Sequence, residues 1–294
     1  MAISRKTKTS GDITVKKSSP DTKTPTHLTH YTDLSGLKGI IENNELWLSH
    51  AAFLNDPQEL EHGVEQTKRV LNNLLDGKAV GSTAKARQKL IKDIADDMEN
   101  FERPAAYIAC LCERSDILSQ WRGYASRQGV SVTFRMSGLR SCFSDLDAEL
   151  LQVAYGINEA KRHLRTAIAE KFPDIVDDFD YMLGTEEDDA IRRKFKDLLA
   201  TLVPRFKHYG FREEQEWRLV VRNPPIDKLK FRPRGQLMLP YLELKSKKKK
   251  LPISAVRIGP GVNDEAVQKS IRFFLEARGY DPDLVEMSST PYRT

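Results

Sequence analysis

Three short segments of the chain carry residue types that can do chemistry together. His30-Tyr31-Thr32 ends a segment that reads as a strand, and strand alternation puts His30 and Thr32 on one face and Tyr31 on the other. A histidine there can hydrogen-bond a ligand or be satisfied by backbone. Ser119-Gln120-Trp121-Arg122-Gly123-Tyr124 places two large aromatics, a guanidinium and a glycine side by side. Rings stack on a flat ligand while an arginine holds a phosphate or carboxylate, or the two rings are simply core residues on one helix face. In Glu213-Glu214-Gln215-Glu216-Trp217-Arg218, alternation gives a buried face of Trp217, Leu219 and Val221, with Glu214, Glu216, Arg218 and Arg222 opposite. That charged row is either a solvated sheet face or the floor of a cleft. In a cleft, a carboxylate would stabilise a developing cation and an arginine would meet a phosphate.

Two further segments have simpler explanations. Asn55-Asp56-Pro57-Gln58-Glu59, with His50 and His62 nearby, has the polar density of a metal site. Asp56 as N-cap, Pro57 at the first helical position and Glu59 two residues on make an ordinary helix start, and no zinc spacing is present, so no metal is expected. Gly259-Pro260-Gly261 lacks the spacing of a nucleotide-binding loop and reads as a tight turn.

These residues need elements to position them. His27 to Tyr31 reads as a strand, and Asp33 caps a helix with Leu34, Leu37, Ile40 and Ile41 on one face, ended by Asn43-Asn44. Glu45 to Leu48 returns as strand. Helices follow through Leu60, Val64, Leu71 and Leu75 and over about 84–98. Ala105 to Cys112 is apolar on both faces, as a central strand would be. Ile117, Trp121 and Tyr124 have helical spacing, and Gly129 opens a strand with Val130, Val132 and Phe134 inward. Residues 158–204 read as an acidic, mainly helical insertion. Strands follow at Gln215 to Val221, near Leu237 to Leu244 and at Ile253 to Ile258. A helix through Val267, Ile271, Phe274 and Leu275 stops at Gly279, before a strand near Val285. The fold class expected is α+β with a mixed or antiparallel sheet. Residues 1–25 are expected to be a disordered basic tail, and 26–294 a single domain with helical insertions near 57–100 and 157–204.

With 294 residues, 39% of them hydrophobic, and a mean hydropathy of −0.52, the chain has ample material for a core and no apolar run of membrane length. The first 26 residues show no apolar block of a signal peptide. Three cysteines, with Cys110 and Cys112 two apart in one strand, suit a reduced, cytoplasmic protein. The net charge of +5 is unevenly held. Six bases against two acids lie in residues 1–26 and five lysines in Lys245 to Lys250, so the remainder is net acidic. A broad positive face for nucleic acid is thereby disfavoured. The lysine segment reads as a solvated hairpin tip, with an acidic partner as the other reading.

Taken in order, the motifs resemble a known family. His30-Tyr31-Thr32, the stretch from Glu45 through Glu59, the stretch from Cys110 through Phe134, and Glu213 to Val220 are similar to the bacterial domain of unknown function 2971. Ile253 to Gly261 and Ser288 to Arg293 fit it as well. The layout is also similar, more loosely, to ADP-ribosyltransferase-like proteins. That resemblance implies an ADP-ribosyltransferase-like fold and an enzyme that uses NAD as substrate, without a metal. Transfer or hydrolysis at the nicotinamide–ribose bond would serve as a toxin or phage-defence activity, with a protein or nucleic acid as acceptor. It implies that His30 hydrogen-bonds a ribose hydroxyl, with Tyr31 and Thr32 beside it in the NAD-binding set. Tyr124 or Trp121 would stack on nicotinamide, and Arg122 or Arg218 would meet the pyrophosphate. Glu216 would be the catalytic carboxylate, with Glu214 two residues before it. The competing expectation is a non-catalytic binding or regulatory module in which Trp121 and an Arg–Glu network are structure.

Overall fold

A computed structural model describes residues 24–54, 59–75, 88–89, 92–93, 95–96, 105–124, 129–143, 147–171, 193, 197–198, 201–260 and 265–291. The expectations for the basic tail before residue 24 and for Asp56 as a helix cap lie outside them.

The chain opens with β1 (His27–Asp33), α1 (Leu34–Asn43) and β2 (Glu45–His50). Asp33 starts α1 by accepting the Gly36 amide at 2.7 Å, and Asn44 ends it in the left-handed conformation at φ 57°. Then follow α2 (Glu59–Leu75), β3 (Ala106–Cys112), α3 (Leu118–Tyr124), β4 (Gly129–Arg135), α4 (Met136–Phe143), β5 (Ala148–Gln152), β6 (Ala154–Tyr155) and α5 (Gly156–Lys171). The last part comprises β7 (Phe206–Lys207), β8 (Glu216–Arg222), β9 (Leu229–Arg234), β10 (Leu237–Lys245), β11 (Ile253–Ile258), α6 (Glu265–Ala277) and β12 (Val285–Met287).

The fold is mixed α/β around an open, mostly antiparallel sheet whose main path runs β12-β11-β4-β1-β3-β2-β10-β9, with β8 and β5 beside β3. β8 pairs with β3 along its whole length, from Ala106↔Arg222 to Cys112↔Glu216. That edge of β3 is therefore full, and β1 and β2 share the other. β1 meets it at Thr29↔Cys112, β2 at Ser49↔Ile108 and His50↔Tyr107. Between those contacts the two strands leave β3: β1 stays paired with β4 as far as Asp33↔Gly129, and β2 with β10 as far as Glu45↔Lys245. The sheet thus splits into two half-sheets joined at β3, with α1 bridging from one to the other.

The main core joins Leu28, Leu48, Leu111, Val132, Phe134 and Val256 from the strands to Leu37 and Ile41 of α1, Leu139 of α4 and Leu275 of α6. The opposite face of β3 and β8 is covered too, with Ala106, Ile108 and Val220 packed on Ala51 and Val203. The row containing Glu216 and Arg218 is consequently interior, which corrects the solvated-face reading. The Lys245 to Lys250 segment also differs from a hairpin tip. β10 lies beside β2 and β11 beside β4, so the segment crosses from one half-sheet to the other.

Candidate functional site: a cleft where the sheet splits

The gap between β1 and β2 is a cleft of about 510 Å³, lined by His30 to Asp33, Gly36 and Ile40 of α1, Glu45 to Trp47, Ser49, Ala109, Cys110, Gly123, Arg232 and Arg234. In this gap the Cys110 carbonyl is taken by a side chain in place of a strand: His30 Nδ1 lies 2.8 Å from it. A carbonyl only accepts, so Nδ1 carries the hydrogen and Nε2 keeps its lone pair. Burial lowers the His30 pKa below its usual value; the Cys110 bond opposes this and the nearby Arg232 charge adds to it. His30 is therefore a neutral acceptor at pH 7.

Across the cleft, Trp47 is 38% exposed, with its ring 4.5 Å from that of Tyr241. Its indole N–H donates to Glu45 Oε1 at 2.8 Å. The Arg232 guanidinium lies 5.5 Å from the Trp47 ring centre and donates to Ser49 Oγ at 3.0 Å. Together these groups offer an acceptor, a partly open ring, a carboxylate and guanidinium charge, a set suited to a flat anionic ligand.

The third motif is elsewhere. Glu216, 1% exposed, accepts from Lys207 Nζ at 2.8 Å and from Arg218 Nε at 2.8 Å. Lys207 also binds Glu214 at 2.7 Å, and Arg218, 2% exposed, donates to the Pro204 carbonyl at 2.9 Å. Burial acts to raise the Glu216 pKa, but the charges of Arg218 and Lys207 outweigh it and hold the carboxyl well below the usual range. Glu216 belongs to the wall of a different recess, of about 800 Å³, with Glu113, Arg114, Arg212 and Glu213. Its link to the His30 cleft is Cys110, whose side chain bonds the Glu216 carboxylate. Gln215, left-handed at φ 45°, precedes β8, so Glu214 ends a 3-10 turn (Tyr209–Glu214) and the two glutamates do not alternate along one strand as the sequence suggested.

Of the other site candidates, Tyr31 and Trp121 have structural places. The Tyr31 hydroxyl, on a ring 5% exposed, donates to the Arg114 carbonyl and accepts the Ile117 amide, both at 3.0 Å. Trp121 is 1% exposed, edge-on to Tyr31 at 4.8 Å, and donates to Asp116 Oδ1 at 2.7 Å. A side chain added at Gly259 would sit 3.0 Å from the Trp121 ring, so this glycine makes room for it. Trp121 and Arg218 have no open face for nicotinamide or pyrophosphate, which corrects their expected NAD-stacking and phosphate roles. Arg122 is exposed, and the Tyr124 side chain lies outside the described residues. His50 accepts the Ala52 amide at 3.2 Å, and His62 packs edge-on against His208 at 5.5 Å. Among the described residues, no helix is long and apolar enough to cross a membrane.

Sequence reasoning missed Trp47, Ser49, Glu45 and Arg232 as cleft residues. Trp47 had one usable signal, an outward tryptophan between the inward Leu46 and Leu48. Arg232 had none, because Pro233 argues against a strand and β9 went unread.

Residues 120–219 match the model of a family described as protein of unknown function (DUF2971). The match supports that family for the stretch from α3 to β8, which holds Trp121, Glu216 and Arg218. His30, Trp47 and Arg232 lie outside it. No curated protein and no solved structure matches the chain.

Proposed function

We propose that the protein is an NAD-using, ADP-ribosyltransferase-like enzyme whose dinucleotide occupies the His30 cleft, with a toxin or phage-defence role and a protein, nucleic acid or water as acceptor. The observation that carries this reading is the neutral His30, whose Nε2 acceptor belongs to a cleft that also contains Trp47 and Arg232. A ribose hydroxyl would donate to Nε2 and a base would lie against Trp47. In the reaction, the bond from the ribose C1′ to the nicotinamide nitrogen breaks and its electron pair leaves with nicotinamide. A carboxylate stabilises the oxocarbenium ion, and the acceptor adds at C1′ as it loses its proton. Glu45 lines the cleft, while Glu216 stands behind Cys110.

A second reading, a non-catalytic regulatory module, draws support from the buried Lys207–Glu216–Arg218 network and the enclosed Trp121. Calorimetric NAD binding and nicotinamide release separate the two. The enzyme reading expects binding that weakens in His30→Ala and turnover lost in a folded Glu216→Gln or Glu45→Gln. An absence of binding up to millimolar NAD sinks it and leaves the module.

A further inference from the structure

We propose that Arg232 is the anion-holding residue of the cleft and that the ligand it takes carries a phosphate or pyrophosphate. The inference deepens the NAD reading and rests on it for the ligand's identity, though not for the anion. Other cations of the sheet are spoken for: Lys230, on the same strand, pairs with Glu243 at 2.6 Å, and at the other recess Arg218 pairs with Glu216 and Lys207 with both Glu214 and Glu216. Arg232 is half-buried, yet among the described residues it has no carboxylate within ion-pair distance. Asp33, the acid whose charge it feels, turns one oxygen to the Gly36 amide to cap α1. Of the five N–H donors of Arg232, one bonds Ser49 Oγ, and among the described residues the others have no hydrogen-bond partner. A guanidinium remains charged even when burial lowers its pKa, so a half-buried, unpaired one carries a desolvation cost that an anion would relieve.

The surroundings prepare this group for an anion. Trp47 and Tyr241 lie beneath it at 5.5 and 5.8 Å and hold its plane, while the Ser49 bond sets its rotation. The fork of donors is then ordered before a ligand arrives, and two parallel bonds to phosphate oxygens need little further ordering. Arg234 lines the same cleft and adds positive potential. His30, being neutral, offers no competing charge. Arg232 itself sits on a strand hydrogen-bonded to β10, opposite Leu239.

The test is calorimetry on the full chain with inorganic pyrophosphate, ADP-ribose, NAD and nicotinamide riboside, which has no phosphate. Wild type should bind pyrophosphate with an affinity that falls as salt rises. Arg232→Gln should lose about 10- to 100-fold for pyrophosphate and ADP-ribose, with no change for nicotinamide riboside. Arg232→Lys, which keeps the charge without the fork, should fall between. Equal pyrophosphate binding by wild type and a folded Arg232→Gln, or none by wild type, overturns the assignment. Pyrophosphate bound through Arg232 with no NAD binding upholds the anion site and sinks the NAD reading. NAD bound undiminished by Arg232→Gln does the reverse.

Discussion

Replacing Glu216 by glutamine asks whether the most conspicuous charged motif of the chain is structure. Glu216 Oε1 takes Arg218 Nε and Oε2 takes Lys207 Nζ, both at 2.8 Å, in a site where acid and bases are all under a tenth exposed. A glutamine matches the volume but turns an N–H₂ toward one of these donors and removes the charge. Lys207 keeps Glu214 at 2.7 Å, whereas Arg218 keeps the neutral Pro204 carbonyl. Removing one partner of a buried pair costs about 3–5 kcal/mol, because the other charge is left uncompensated. At about 2–4 °C per kcal/mol for domains of 150–250 residues, the melting temperature should fall by on the order of 6 °C or more. The paired change Glu216→Leu with Arg218→Met removes both charges, and apolar replacement of a buried pair is often neutral. It should cost less than Glu216→Gln alone in urea unfolding. Acid supplies an independent readout. The folded carboxyl titrates below the usual glutamate value of 4.5, so its contribution is complete above that pH and lost as pH falls through the folded value. Glu216→Gln should flatten that acid limb. A Glu216→Gln protein within about 0.5 kcal/mol of wild type, with an unchanged acid limb, would refute the structural account of the network.

Asp116 gathers Trp121 Nε1, the Ser288 and Thr290 hydroxyls on one oxygen, and the Ser289 amide at 2.8 Å and hydroxyl on the other. Asp116→Ala should cost at least about 2 kcal/mol and speed hydrogen exchange at the Ser289 amide; unchanged protection there would contradict this anchoring role. His163, half-buried beside Arg205 Nη2 at 3.2 Å, has its pKa lowered to about 4 by burial and by the charges of Arg205 and Arg162. The folded state therefore prefers the neutral ring, and its contribution, complete above the usual histidine value of 6.5, is lost as pH falls toward 4. His163→Gln should lose less stability than wild type over that window in urea melts; equal losses would show that the ring is not held neutral.

Much of the fold was legible because local patterns carry it. Asp33 before Leu34, Leu37, Ile40 and Ile41 announced α1, Asn44 its end, and the unbroken apolar run into Cys112 announced the central strand. β5, β9 and α4 were not read. The half-exposed Ala148–Gln152 shows no clear alternation of burial, and Pro233 interrupts β9. The candidate site was legible in one part, His30 with Thr32 beside it. The resemblance supplied Glu216, and the fold puts that carboxylate behind Cys110.

By itself the sequence determined where short-range preferences act: caps, periodicity, the apolar centre of β3, and the alternation that separates Tyr31 from His30. Only the tertiary structure decided which charges are inside and which groups meet. Alternation shows that Glu216 and Arg218 share a face but not that a second layer covers it. Nor does any local pattern show that β1 and β2 divide one edge of β3, because a strand's partners are chosen by residues far away in the chain. The cleft follows from that division, and it brings His30, Trp47 and Arg232 together from three separate strands.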